Sequence, residues 1–158
     1  MMNVQSLING LEAWVQEELL ARRKMLALLE RQEEVVKRAN GLDLEAVVHD
    51  IQVELDAQAR RDEKRVRLFE GLAQHWGVSA ETLTLTSIVE RAGPQAARLA
   101  LLRDELAAAS ERIVRKNRRL SALLSVHHKV VEELLCALVA IQGGTPGAPA
   151  GALVDAEA

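Results

Sequence analysis

A chain of 158 residues suits one domain, and its 49% hydrophobic content is enough for a core, yet only 2% is aromatic and tyrosine is absent. A net charge of −3, with both signs mixed along the chain, gives bulk electrostatics no bias toward nucleic acid or a membrane surface. The single cysteine, Cys136, excludes an intramolecular disulfide and fits a reducing compartment.

The wealth of Ala, Leu, Glu and Arg points to long helices rather than a sheet. No basic region followed by an apolar run opens the chain, so no signal peptide is expected. The longest apolar run, residues 134–141, is far short of the ~20 residues that span a bilayer. These features predict a soluble, cytoplasmic protein without membrane insertion.

The first helix is predicted over residues 5–39. Leu7, Leu11, Val15, Leu19, Leu26, Leu29 and Val36 share one face, interrupted by Arg22 or Arg23, with Trp14 beside it as a packing residue. Asn40-Gly41 ends this helix, since both residues tolerate a left-handed cap, and Asp43 is the expected N-cap of the next. So short a connection makes the two helices antiparallel neighbours.

The second helix is predicted over residues 44–76. Its seam reads Leu44, Val48, Ile51, Leu55, Gln58, Asp62, Arg65, Phe69, Leu72, Trp76, apolar at both ends and polar in the middle. Gly77 stops it and Val78 supplies the apolar contact that accompanies such caps. The segment that follows, SAETLTLTSIVERAG, is a connector. Ser87 with Glu90 fits a capping box opening a short helix over 87–92, and Gly93-Pro94 closes it.

The last helix, residues 95–142, is the longest. Leu99, Leu102, Leu106, Ala109, Ile113, Lys116, Leu120, Leu123, His127, Val130, Leu134, Ala137 and Ile141 alternate strictly between spacings of three and four. That is the 3.5-residue period of a coiled-coil seam, and the helix would span roughly 70 Å. Residues 143–158, rich in Gly, Pro and Ala without a period, are expected to be a disordered tail after a helical domain over 1–142. The fold class is therefore all-α: an antiparallel three-helix, coiled-coil-like bundle with a long C-terminal helix and a short connector helix.

Two inferences follow from that fold. The polar interruptions of the three seams fall at about one level, which predicts a charged layer with Asp62 between Arg22 and Lys116. The start of the second helix lies opposite roughly residue 130 of the last, so the apolar residues beyond it lack a partner within the chain. Exposed apolar surface of this kind marks a partner site. Val131, Leu134, Leu135, Leu138 and Ile141 are the candidate partner-binding residues.

No constellation for catalysis is present. His128 and Glu132 stand four apart on a helix, but two ligands make no metal site, and no HExxH or paired-cysteine pattern occurs. His127 on the seam is expected to be a core histidine. The basic stretches 60–67 and 112–119 are diluted by acids and carry no interleaved aromatics for base stacking, so nucleic acid is not an expected partner. No enzyme activity, cofactor or metal is expected.

The helical hairpin, the stop at HWGVSAETLTLTSIVE and the final helix containing RKNRRLSALLSVHHKVVEELL resemble the FlgN-type flagellar export chaperones, over residues 11–141. The most telling parts are Gly77-Val78-Ser79 leading to Leu83-Thr84-Leu85, and Asn117-x-x-Leu120-x-x-Leu123-Leu124. The family often carries two asparagines three apart here, whereas this chain has Asn117 alone, with Val114 and Leu120 flanking it. The resemblance implies a cytoplasmic chaperone of the flagellar type III export system. Its partners would be secreted hook–filament junction proteins, held by their assembly-prone helices and delivered to the export gate or ATPase complex, with substrate binding in the C-terminal part of the final helix. The alternative is a structural coiled-coil subunit that forms a homo-oligomer through the same surface.

Overall fold

The computed structural model describes residues 3–141, apart from the side chain of Ile141. Among the described residues the structure is all-α, with helices α1 (Val4–Lys37), α2 (Gly41–Trp76), α3 (Leu85–Ala92) and α4 (Ala97–Ile141). Short 3₁₀ turns occupy Ala80–Thr82 and Gly93–Ala96. Two compact units divide the chain, residues 1–117 and 118–158, and α4 belongs to both. The expected tail, 143–158, lies outside the described residues.

The helix boundaries follow from local chemistry, in part different from that expected. Asn40, not Asp43, caps α2: its side-chain oxygen accepts from the Asp43 N–H at 3.3 Å while its amide donates to the Asp43 carboxylate at 2.7 Å. An N-cap residue needs an extended backbone and a short polar side chain, and Asn40 has both. The left-handed residue at the α1–α2 turn is consequently Ala39, at φ 52°. The capping box of α3 is Thr84 with Ser87, each side chain accepting from the other's backbone N–H at 3.1 and 2.9 Å, rather than Ser87 with Glu90. Gly77 ends α2 in the left-handed conformation as expected, with the Val78 N–H donating to the Ala73 carbonyl and Val78 packed on the core.

The core of the first unit gathers at the start of α1, the end of α2, the connector and the start of α4. Ile8, Leu11, Val15, Leu72, Ile88 and Leu99 are fully buried there. Leu102, Leu106 and Ala109 pack against the same cluster, so α4 uses its strict seam through this stretch. The connector is thus a structural lid, with Leu83 and Ile88 as its apolar anchors. Gly10 faces Leu68 and Gly71 faces Leu7, a reciprocal pair of close approaches; a Cβ at either glycine would come within 3 Å of a leucine methyl.

A charged layer exists, but Asp62 is not in it. Asp62 is exposed and bonds Arg65 on its own helix at 2.7 Å. The buried carboxylates are Glu18, Glu54 and Glu33. Arg61 reaches Glu18 at 2.7 Å and Glu54 at 2.9 Å, and its backbone carbonyl accepts the indole N–H of Trp14 at 2.9 Å. Arg22 adds bonds to Gln58 and Glu18, and Lys24 to Glu54. Burial raises the Glu54 carboxyl, yet hydrogen bonds from Lys24 and Arg61 outweigh it and the net shift is downward. Burial likewise opposes the Arg61 charge, and the two carboxylates overcome it, leaving Arg61 raised.

This network corrects the register of α2. Its α1-facing positions are Val47, Glu54 and Arg61, with Ile51, Gln58 and Arg65 between them, whereas Val48 and Leu55 are 49% and 50% exposed. The expected seam is kept at Ile51, Gln58, Phe69 and Leu72 but displaced by one residue at Val48, Leu55 and Asp62, where Val47, Glu54 and Arg61 face inward, because Glu54 and Arg61 have the identities of solvated positions. Lys116 does not join this layer either: it pairs with Glu33 of α1, nine residues beyond Lys24, as a separate tie between α4 and α1.

Two consequences are measurable. Arg61→Met removes the cation shared by two buried carboxylates, leaving Glu18 to Arg22 and Glu54 to Lys24, and should cost about 1.5–3 kcal/mol in urea unfolding, while Asp62→Ala, at an exposed pair, should cost less than about 0.5 kcal/mol; equal losses would contradict the network. Hydrogen bonds from Lys116 and then Lys37 hold the Glu33 carboxyl at about 2, below its ordinary 4.5. A lowered folded-state value means that this contribution is complete above about pH 4.5 and is lost as pH falls toward 2. Glu33→Gln should therefore be less stable at pH 7 and lose less stability than wild type between those limits. A parallel pH dependence in the two chains would show that Glu33 carries none of it.

Candidate functional site

The candidate residues all lie in the second unit, on the C-terminal part of α4. Leu120 is buried and Leu123 half-buried, and from Leu124 to Leu138 the large apolar side chains open to solvent, with Val139 half-buried. Val131 is 41% exposed, Leu134 59%, Leu135 54% and Leu138 55%, with Val130 similar at 47%. The backbone of Ile141 closes α4, but its side chain lies outside the described residues.

Helical geometry groups these residues. Val131, Leu134 and Leu138 follow at spacings of three and four, and Leu135 widens the same face. Of these, Leu134 falls on the three-four period that also holds Leu99, Leu102, Leu106 and Ala109, while Val131, Leu135 and Leu138 each lie one residue beside it. The only acids between residues 124 and 141 are Glu132 and Glu133, both exposed and off the centre of the stripe. Such a face matches the i, i+3, i+4, i+7 anchors of helix–helix recognition.

His127 is exposed on this stripe, so the expected core histidine is corrected: the helix has turned it to solvent rather than into packing. His128 and Cys136 are exposed as well. No group of three His, Cys, Asp or Glu able to hold a metal occurs among the described residues. In the basic stretch 60–67, Lys64 pairs with Glu17 at 2.6 Å, Arg65 with Asp62, and Arg67 with Glu63 at 3.7 Å. Arg65 also lies over the Phe69 ring, 5.2 Å from its centre. Among the described residues no helix is long and apolar enough to cross a membrane.

A family model, that of the FlgN protein, matches residues 1–147. The chain belongs to the FlgN family. Membership makes it a flagellar export chaperone in general terms. Comparison with curated proteins and with solved structures gave no significant match.

The sequence did not reveal a second apolar surface, in the first unit. A groove of about 450 Å³ runs along α1, α2 and α4, with Met25 and Leu29 on its floor and Ile51, Leu55, Ile113 and Val114 on its walls. The signal was present in the sequence, because α2 carries two adjacent apolar stripes, Leu44/Val48/Leu55 and Val47/Ile51. Only one of them can face α1.

Proposed function

We propose that this FlgN-family chain is a cytoplasmic chaperone for secreted hook–filament junction proteins, which it binds through Val131, Leu134, Leu135, Leu138 and Ile141. The observation that carries this reading is the exposure of Val131, Leu134, Leu135 and Leu138 on one continuous face of α4. An amphipathic helix of the cargo lays its apolar face on this stripe, so that neither helix is left to associate with copies of itself. Cover of that kind prevents premature assembly, and delivery to the export gate or the ATPase complex releases it. No catalytic step is involved.

Each leucine buried on binding contributes about 1.5–3 kcal/mol. Leu134→Glu combined with Leu138→Glu should therefore weaken capture of junction proteins by at least about a hundredfold while circular dichroism is unchanged. Pull-down of the intact chain, this variant and a chain truncated after Glu133 is the direct assay. Retained capture by both altered chains would refute the site. The second reading, a structural coiled-coil subunit, is favoured by the same exposed stripe. It predicts a stable dimer or tetramer in light scattering that dissociates on the truncation.

A further inference from the structure

We propose that His127 makes the α4 stripe a proton-sensitive docking face, which holds an amphipathic helix while the imidazole is neutral and lets it go when the imidazole is charged. The inference rests on the cargo site proposed above and names its regulation. His127 stands on the three-four run Leu120, Leu123, His127, Val130, Leu134 and is the one ionisable residue in it. Uncovered apolar surface starts before the histidine and continues after it, with Leu124 37% exposed, Val130 47% and Leu134 59%. A helix of about eighteen residues laid on this face spans about 27 Å, the length of α4 from Leu124 to Ile141. Such a helix covers His127 together with the leucines.

The neighbours of His127 one turn away on its own face are Leu123, Leu124, Val130 and Val131, all apolar. The described part of the second unit is α4 alone, so the charges to be counted are those of this helix. At about 100° per residue, Arg118, Arg119, His128, Lys129, Glu132 and Glu133 all lie about 80° or more round the helix from His127. On its own side the next charge is Lys116, about three turns back and paired with Glu33 of α1.

Solvent hydrates either form of the exposed imidazole. A docked helix tolerates the neutral form alone, because a charge moved among leucine and valine side chains loses its hydration. No carboxylate of α4 stands on the histidine's side to replace that hydration. Imidazole is the side chain whose charge ordinarily changes between about pH 5 and 8. Docking therefore expels the proton of the imidazolium to solvent, and acid competes with the cargo helix for the stripe. The leucines supply the affinity, and one histidine sets the pH range in which it is available.

The test uses the full chain and a rhodamine-labelled peptide of about eighteen residues, blocked at both ends, with leucine on one face and glutamine and arginine elsewhere. Such a peptide does not itself titrate between about pH 5.5 and pH 8. At the upper limit anisotropy should show binding, and Leu134→Glu with Leu138→Glu should weaken it at least about tenfold. Absent binding there, or binding indifferent to that variant, would overturn the cargo site and the proposal together. From the upper to the lower limit the affinity of the unaltered chain should fall about tenfold, the charged-to-neutral ratio of an ordinary imidazole one unit below its midpoint. His127→Gln should bind alike at both limits, and His128→Gln should keep the fall, with circular dichroism unchanged in each. Binding that needs Leu134 and Leu138 yet is level with pH, or strengthens in acid, would overturn the proposal and leave the cargo site standing. A fall that persists in His127→Gln would overturn it as well.

Discussion

Arg61 holds the first unit in its register. Its guanidinium is shared between Glu18 of α1 and Glu54 of α2, and its carbonyl is tied to Trp14. Two buried carboxylates cannot be left without a cation, since each ion carries a desolvation cost that only close partners offset. The α1–α2 hairpin can therefore slide or rotate very little. Apolar contacts alone would permit either of two stripes of α2 to face α1. The ion pairs permit one.

From that rotation the rest follows. Val47 goes inside, Val48 and Leu55 go outside, and a groove opens beside α4 where a tighter seam was expected. The apolar core sits at the other end of the hairpin, where Leu72, Ile88 and Leu99 meet Ile8 and Leu11. Lys116 and Glu33 add a polar tie between α4 and α1. Packing thus secures one part of the unit and charge another, and only the charged part responds to acid.

The sequence was legible where one residue type served one purpose. The α4 seam from Leu99 to Ala109 alternates without exception and is packed as its period indicates. The Gly77 stop was equally plain, because glycine there meets the need for a left-handed residue. Legibility failed where a charged residue is buried. Glu54 and Arg61 have the identities of surface positions, and only their heptad spacing with Val47 betrays an inward face. His127 failed the opposite way, its seam position implying burial that the structure does not give it. For the candidate site, the period located a stripe and the structure supplies its exposure, while the identity of the cargo is a matter of chemistry between two proteins that one chain does not encode. The groove was hidden because a seam displaced by one residue left no apolar stripe over.

The central claim is that Arg61 fixes the rotation of α2, and thiol accessibility reads rotation directly. In a Cys136→Ser background, single cysteines at positions 47, 48 and 55 would be titrated with a maleimide under native conditions. The account predicts that positions 48 and 55 react as open thiols and that position 47 is at least about a hundredfold slower, as expected for a site reached only by opening of the hairpin. It also predicts that Arg61→Met erodes the protection at 47. Protection at 48 and 55 equal to that at 47 would contradict it.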